Sequence, residues 1–305
     1  MSKRRVELFA EGTDNGCRLD LFLAGRLREV SRKAIKRALD GGRVFVDGRV
    51  QHRANYPIRG DERILLTFEG ESVAETKPDL TILYRQEGLL AINKPSGLPS
   101  HPTVAGRVNA LDLVREKLAE EEGGDPILLH RLDRDTTGVL LFALNAEANR
   151  ALARQFAEHQ IEKTYLALVA GIPPEVFSVR NYLKAGVRGR TIAVTSGGQK
   201  AETHFRTLAR GADFALVEAR PKTGRTHQVR VHLAGLGHPL LGDGLYGGPE
   251  RLQIKGAFFH LRRYLLHASC LVFFSPSSRR ILTIHAPVPD DFLCFRPILV
   301  PAPAL

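Results

Sequence analysis

The chain is polar and acidic over residues 69–80, and this break constrains its fold more than any other feature of the sequence. The stretch carries three glutamates and a Lys-Pro-Asp sequence, a composition typical of a linker. A chain of 305 residues is long enough for one large and one small domain. We therefore predict a small domain over residues 1–68, with its core at 17–64, and a large domain over residues 81–305.

The small domain shows the pattern of two short helices followed by a β-hairpin. Apolar residues recur at helical spacing over residues 19–27. Ser31 is a suitable N-cap for a second helix that runs to about Leu39, where a pair of glycines would end it. Residues 43–50 surround an Asp47-Gly48 turn and predict the hairpin.

The charge balance indicates a polyanionic partner. Lys and Arg number 44 against 33 Asp and Glu, which gives a net charge of +11. Basic surfaces bind phosphates, although a basic helix face is also common on proteins that bind no nucleic acid. The second helix and the start of the hairpin supply the candidate phosphate contacts, which are Arg32, Lys33, Lys36, Arg37 and Arg43.

Four short motifs of the small domain form a known pattern. They are Arg18-Leu-Asp-x-Phe-Leu, Ser31-Arg32, Gly42-Arg-Val-Phe-Val-Asp-Gly48 and Gly60-Asp61. Together they resemble the RNA-binding domain of ribosomal small-subunit protein S4. The resemblance implies contact between the basic side chains and the backbone of a structured RNA, whose shape and phosphates are recognised more than its sequence.

The large domain alternates β-like apolar runs with helical segments. Strands are predicted at residues 89–93, 139–144, 165–169 and 271–274, and a helix is predicted over residues 146–160. This alternation predicts a mixed α+β fold.

The cysteines and the hydropathy pattern restrict the class of protein. Cys17, Cys270 and Cys294 lie far apart, a spacing that suits neither a disulfide framework nor a zinc site. No segment approaches the roughly 18 consecutive apolar residues of a membrane span. We therefore expect a soluble, cytoplasmic protein.

A first candidate site is the segment from His130 to Gly138, which leads into an apolar strand. It carries two carboxylates, Asp133 and Asp135, on a loop at the edge of a predicted sheet. The two aspartates are suited to paired acid and base catalysis. Asp135 is equally suited to stabilising a turn together with the threonines that follow it.

A second candidate site is the donor-rich segment over residues 221–232. Its cationic and imidazole side chains suit a phosphate or a buried carboxylate; they are Lys222, Arg225, His227, Arg230 and His232. Three histidines, at 227, 232 and 238, raise the possibility of a metal site. No carboxylate or thiolate stands at a standard offset among them, so we predict hydrogen-bonded histidines and no metal.

The third candidate is Lys163 and Tyr165, which share one face of a predicted strand. An aromatic ring beside a cation can stack a base and attract a phosphate. Taken alone, the two residues fit equally well a tyrosine at the rim of the core and a solvated lysine.

These three segments belong to one larger pattern of motifs. The pattern consists of Asn93-Lys-Pro-x-Gly97, His130-Arg-Leu-Asp133 with Thr136-Thr-Gly138, Lys163-x-Tyr165 with Gly171, Thr223-Gly-Arg-Thr-His-Gln-Val-Arg-Val-His-Leu233, Gly237-His-Pro-Leu240, Gly242-Asp243, Tyr246-Gly247 and Leu266-His-Ala268. Over residues 81–292 it resembles the RluA family of RNA pseudouridine synthases. The resemblance implies a mixed, mainly antiparallel sheet, an RNA partner and no cofactor.

The resemblance also implies a role for individual residues. Asp133 would be the essential carboxylate, and Arg225 would be its ion-pair partner. Tyr165 would stack against the target uracil, and Arg131 would approach the space that a flipped base leaves. Lys163 would contact the RNA beside Tyr165.

The implied reaction breaks the N-glycosidic bond of uridine, turns the uracil and rejoins it through carbon, with no redox step. One carboxylate acts at the sugar, and a nearby guanidinium keeps it ionised in an apolar site. Ribosomal RNA of the large subunit is the expected substrate, with transfer RNA second. The alternatives are a non-catalytic ribosome-assembly factor and a hydrolase that needs both aspartates.

Overall fold

A computed structural model describes most of the chain. The described residues are 3–27, 30, 32–69, 78–102, 108–119, 125–187, 189–254 and 257–301. The predicted N-cap Ser31 and residues 70–77 of the predicted linker lie outside them.

The chain divides into two compact units. The first combines Met1–Thr76 with Arg251–His260, and the second combines Lys77–Glu250 with Leu261–Leu305. The division after Thr76 falls within the predicted linker. The predicted large domain includes residues 251–260, but the structure groups this segment with the first unit, where the His260 ring stacks on Phe9 at 4.4 Å between centroids.

The N-terminal unit begins with four strands and two α-helices. They are β1 (Lys3–Phe9), α1 (Leu19–Arg26), α2 (Arg32–Asp40), β2 (Val44–Val46), β3 (Arg49–Val50) and β4 (Arg63–Glu69). The strands form an antiparallel sheet in the order β1-β4-β2-β3. The predicted helices and hairpin are confirmed, and the turn residues Asp47 and Gly48 both have positive φ, 47° and 78°.

Both helices of this unit pack on one face of its sheet. Leu23 of α1, Ile35 and Leu39 of α2, and Ile64 and Leu66 of β4 are at most 1% exposed and share one core. Helical spacing in α1 and α2 and alternation in β4 bring these side chains together.

The remaining strands are numbered along the chain. They are β5 (Thr81–Gln86), β6 (Leu89–Lys94), β7 (Ile127–Leu128), β8 (Thr137–Ala143), β9 (Glu162–Ala170), β10 (Val176–Ala185), β11 (Thr191–Val194), β12 (Gln199–Arg210), β13 (Phe214–Pro221), β14 (Arg251–Ile254), β15 (Ala257–His260), β16 (Leu266–Phe274), β17 (Ile281–His285) and β18 (Val300–Pro301). The α-helices that accompany them are α3 (Ala110–Ala119), α4 (Ala146–Ala157), α5 (Gln228–Gly235) and α6 (Asp290–Leu293).

Twelve of these strands form one mixed sheet. Its main path is β11-β10-β12-β13-β9-β16-β8-β6-β5, and β7, β17 and β18 pair beside it. Among the described residues, β8 and β16 are the one parallel pair, and every other pair is antiparallel. The prediction of a mixed, mainly antiparallel sheet is confirmed.

Strand β8 lies in the interior, and every residue of it is buried. Leu140 and Phe142 face the core beneath α3, whereas Val139 and Leu141 face the core beneath α4. Because β8 is covered on both faces, its position is fixed, and so is the end of the loop that precedes it.

No helix in the described part of the chain is long and apolar enough to span a membrane.

The predicted helix over residues 146–160 is α4, which ends at Ala157, before the predicted C-terminal end. It starts after Asn145, whose Oδ1 accepts a hydrogen bond from the Ala148 backbone N at 2.8 Å. It stops at Ala157 because His159 takes a left-handed φ of 58°, which a helix cannot continue through.

Candidate active site

The loop before β8 carries Asp133 and is fixed from both sides. The Ser100 hydroxyl donates to the Leu132 carbonyl at 2.7 Å and accepts from the Leu132 backbone N at 3.0 Å. Lys94 Nζ donates to the Arg134 carbonyl at 2.8 Å. The backbone of the residues on either side of Asp133, Leu132 and Arg134, is therefore held by buried side chains.

Lys94 is fully buried, with 0% exposure. Its ammonium also donates to the carbonyls of Pro95 and Leu98, at 2.9 and 2.8 Å. Burial lowers the pKa of Lys94 to about 7, and the carboxylates of Asp135 and Asp133 oppose that shift.

Asp133 itself is partly accessible, with 27% of its side chain exposed. Its Oδ2 lies 3.3 Å from Arg230 Nη1 and 3.8 Å from His227 Nε2. The carboxylate thus has one face toward solvent and another against a guanidinium.

Arg230 is buried and held on three sides. Its Nε and Nη2 donate to the two carboxylate oxygens of Asp243 at 2.7 and 2.8 Å. Its guanidinium carbon lies 4.1 Å from the Tyr264 ring centroid and 5.0 Å from that of Tyr246. Burial alone would lower the pKa of Arg230, but the bonds to Asp243 raise it above its usual value, so the charge is permanent.

The predicted ion pair between Asp133 and Arg225 is wrong. The Arg225 backbone N donates to Gln228 Oε1 at 3.0 Å, and its Nε donates to the Lys200 carbonyl at 3.2 Å. Arg225 lies in the loop before α5, whereas Arg230 lies in the first turn of α5 and points inward. The helix therefore brings Arg230, and not Arg225, to the carboxylate.

His227 joins the loop to α5 and adds a second group beside Asp133. It has a left-handed φ of 55°, a conformation that non-glycine residues rarely adopt. Its Nδ1 lies 2.8 Å from the Tyr246 hydroxyl. Burial lowers the pKa of His227, and the charge of Asp133 opposes this shift.

Lys163 and Tyr165 lie on β9, as the spacing predicted, and both are half-buried. Burial raises the pKa of the Tyr165 hydroxyl, and the charge of Asp133 raises it further. Lys163 Nζ donates to the Thr223 carbonyl at 3.4 Å, and burial lowers the pKa of Lys163, assisted by the charge of Arg225. Tyr165 thus belongs to the surroundings of Asp133, and Lys163 to the loop of Arg225.

Comparison with known proteins identifies the family of this site. The chain matches the RNA pseudouridylate synthase family over residues 88–235 and the S4 domain over residues 17–64. An uncharacterized RNA pseudouridine synthase of Chloroflexus aurantiacus is 39% identical, covering 92% of this chain and 89% of its own. The chain belongs to the RluA family of RNA pseudouridine synthases.

Other relatives match the synthase over a similar length. Ribosomal large subunit pseudouridine synthase D of Haemophilus ducreyi is 34% identical over 91% of this chain and 89% of its own. The structure of human RNA pseudouridylate synthase domain containing 4 superposes with a TM-score of 0.59 at 28% identity, covering 72% of this chain and 94% of that one. The synthase is an isomerase that converts uridine to pseudouridine in RNA.

Asp135 of the synthase is engaged by its own neighbour. Arg134 Nη2 lies 3.0 Å from Asp135 Oδ2, and Arg134 Nε donates to the other carboxylate oxygen at 3.1 Å. This local ion pair suits a structural role at the turn rather than a second catalytic carboxylate.

The predicted RNA contacts of the synthase are distributed over both units. Arg131 is exposed, and its charge adds to burial in lowering the pKa of His101. Lys36 and Arg37 are exposed on α2, and Arg43 Nη2 donates to the Arg37 carbonyl at 3.1 Å. The side chains of two further predicted contacts lie outside the described residues; they are Arg32 and Lys33.

The three histidines of the metal hypothesis have separate partners. His232 Nδ1 lies 2.9 Å from Thr203 Oγ1 and its Nε2 lies 3.0 Å from Asn181 Oδ1, whereas His238 Nδ1 lies 2.9 Å from the Ala170 carbonyl. Within the part of the chain that the structure describes, no group of three His, Cys, Asp or Glu side chains could hold a metal ion.

Several residues of the site had no predicted role. Asp243, Tyr246 and Tyr264 enclose Arg230, and Gln228 ties the loop of Arg225 to the sheet by donating to Thr203 Oγ1 at 2.9 Å. The sequence shows Gly242-Asp243 and Tyr246-Gly247 as motifs. Because they lie far along the chain from Asp133, it does not indicate that Asp243 and Tyr246 surround Arg230.

Proposed function

We propose that the synthase isomerises specific uridines of large-subunit ribosomal RNA, with Asp133 as its essential carboxylate. The names of curated relatives support the ribosomal substrate: synthase D of Haemophilus ducreyi, and ribosomal large subunit pseudouridine synthase C of Vibrio cholerae at 35% identity. The N-terminal S4 match and the net charge of +11 agree with a large structured RNA. A cytoplasmic location is part of this proposal.

One observation carries the assignment of Asp133. A partly exposed carboxylate lies 3.3 Å from a guanidinium that is itself only 5% exposed. The fixed positive charge of Arg230 therefore lies directly beside a carboxylate that stays open to the substrate.

The carboxylate of Asp133 acts at the ribose of the flipped uridine. It attacks the anomeric carbon or removes the neighbouring ribose proton, and the N-glycosidic bond breaks. The detached uracil turns, and its carbon 5 joins the anomeric carbon as the bond between Asp133 and that carbon breaks or, on the second route, as Asp133 returns the proton to the ribose. The carbon 5 proton then leaves to solvent while N1 takes up a proton, so the reaction is an isomerisation.

Reaching the ribose requires that the uridine leave its stack. Base flipping costs a few kcal/mol, and stacking on an aromatic ring returns roughly 1–3 kcal/mol of it. Tyr165 is the proposed stacking partner because it lies in the surroundings of Asp133. Arg131 and Lys163 are the proposed RNA contacts next to the flipped nucleotide.

A non-catalytic assembly factor would need the RNA-binding unit only, and the family membership of the large unit does not support it. Transfer RNA stays the second candidate substrate. Pseudouridine mapping in a strain that lacks this gene tests the substrate directly. We expect specific positions of large-subunit ribosomal RNA to lose the modification and to regain it when the gene is restored; loss confined to transfer RNA would contradict the proposal.

A further inference from the structure

Asp243 is the least accessible carboxylate of the site, with 1% of its side chain exposed. It belongs to the loop that follows α5, far along the chain from Asp133. Both of its oxygens are occupied by Arg230, at 2.7 and 2.8 Å. A carboxylate that is this buried, with both oxygens bound by one arginine, acts through that arginine.

The loop around Asp243 has little freedom to move. The Asp243 backbone N donates to the Leu240 carbonyl at 3.1 Å, and its carbonyl accepts from the Tyr246 and Gly248 backbone N at 3.0 and 2.9 Å. A Cβ on Gly242, where φ is +83°, would lie 2.0 Å from the Arg263 carbonyl oxygen. Only glycine fits there, so the Asp243 carboxylate is presented from a fixed backbone.

Arg230 therefore lies between two carboxylates, which it binds with different numbers of hydrogen bonds. Asp243 takes two short hydrogen bonds in the parallel geometry that guanidinium and carboxylate prefer. Asp133 takes one longer contact, 3.3 Å to Nη1. One positive charge is shared between two negative ones, and the stronger pairing is with the residue that does not react.

We propose that Asp243 is a positioning residue, which fixes Arg230 so that a single N–H faces Asp133. Without this anchor the guanidinium turns to form a two-bond pair with Asp133 itself. Such a pair would occupy both oxygens of Asp133 and reduce their reactivity toward the ribose. The inference rests on the proposed role of Asp133.

Other charged and titratable groups also face this pair, from several elements. They are His227, Tyr246, Tyr264, Tyr165 and Lys94. None of them forms a two-bond pair with the guanidinium, so the orientation of Arg230 depends chiefly on Asp243.

The test measures single-turnover conversion by full-length Asp243→Asn, on large-subunit ribosomal RNA labelled with tritium at carbon 5 of uridine. Asparagine keeps the shape of the side chain but loses the charge and one acceptor. We expect the rate at saturating enzyme to fall about 10- to 100-fold, because Arg230 loses one charged hydrogen bond to residue 243 and its orientation toward Asp133 is no longer fixed. The affinity for RNA should not change. Asp243→Glu keeps the charge, and its conversion rate should lie between those of wild type and Asp243→Asn. This second variant tests the inference even if the asparagine variant folds poorly.

The matched control is Asp291→Asn, because Asp291 also binds an arginine by two bonds, Arg263 at 2.6 and 2.8 Å. It should lower the unfolding temperature while changing the rate less than threefold. Arg230→Lys completes a double-mutant cycle, in which adding Asp243→Asn to Arg230→Lys should cost little more.

Additive losses in the cycle, or a normal rate in Asp243→Asn, would overturn the inference. A fall in RNA affinity alone would overturn it as well. Failure of the proposed function looks different, since wild type itself would then release no tritium from this RNA.

Discussion

At the scale of single residues, the two arginines of the donor-rich segment should differ in function. Arg230 contacts Asp133 at 3.3 Å, whereas Arg225 is bonded to the Lys200 carbonyl and lies next to Lys163. Lysine keeps a positive charge but cannot form a planar two-bond pair, so the substitution tests geometry at constant charge.

Arg230→Lys should lower the rate of conversion about 100-fold with little effect on RNA affinity, because its charge no longer faces Asp133 correctly. Arg225→Lys, the matched control, should leave the rate within about threefold and alter RNA affinity at most. Single-turnover kinetics with a separate binding assay distinguish the two effects. A larger loss of rate in Arg225→Lys than in Arg230→Lys would instead support the predicted ion pair between Asp133 and Arg225.

The residues that could be predicted from sequence are those whose motif is local. Asp133 and Tyr165 each lie in a short motif that the family shares, and the structure brings both to one site. Arg225 and Arg230 belong to the same motif, five positions apart, and spacing cannot tell which one faces inward. That depends on His227, whose left-handed backbone starts α5 just before Arg230.

At the scale of elements, the parallel contact of β8 with β16 depends on one glycine. Gly138 has a φ of +112°, and a Cβ there would lie 2.1 Å from the Ala268 carbonyl oxygen. Gly138→Ala should therefore destabilise the synthase by about 3 kcal/mol or more, because the strands cannot approach.

The control for this substitution is Gly235→Ala, at an exposed helical position where a Cβ meets nothing within 4 Å. It should be neutral or stabilise by up to about 1 kcal/mol, since alanine favours a helix over glycine. Denaturant unfolding of both variants measures the difference. Equal stability of the two variants would contradict the described register of β8 and β16.

The contact of α5 with β10 and β12 should depend on pH through His232. Burial lowers the pKa of His232 from 6.5 to about 4. The unfolded chain takes up this proton near pH 6.5, whereas the folded protein takes it up only near pH 4. Stability should therefore fall as the pH drops from 6.5 to 4, by roughly 2–3 kcal/mol from this group.

Replacing His232 by Gln removes the titration and should flatten the curve of unfolding free energy against pH over that window. His285→Gln, at an exposed position, should leave the slope as in wild type. An unchanged slope in His232→Gln would show that the ring is not kept neutral by burial.

Elements with continuous apolar runs could be predicted, and their pairing could not. The runs over residues 89–93 and 139–144 appear as β6 and β8, because strands that are covered on both faces are apolar throughout. The run over 271–274 extends back to Leu266 through the polar His267, which Thr137 binds at 2.9 Å. The pairing of β16 with β8 joins residues too distant for any local pattern to indicate.

At the scale of the whole molecule, the basic charge of the N-terminal unit should appear in the salt dependence of RNA binding. Lys36 and Arg37 are exposed on α2. Replacing both with Gln should reduce the slope of log affinity against log salt concentration by about 1.5 to 2, because fewer counterions are released. Arg150→Gln, at an exposed position on α4, is the control and should change the slope less; an unchanged slope in the double variant would show that α2 is simply solvated.

The central claim is that one carboxylate, Asp133, performs the chemistry of the synthase. Tritium release from RNA labelled at carbon 5 of uridine tests it in wild type, Asp133→Asn and Asp135→Asn. We predict that Asp133→Asn loses at least about 1000-fold in rate and Asp135→Asn only a few-fold, since Asp135 is bound by Arg134. Equal losses in the two variants, or substantial release by Asp133→Asn, would contradict the account.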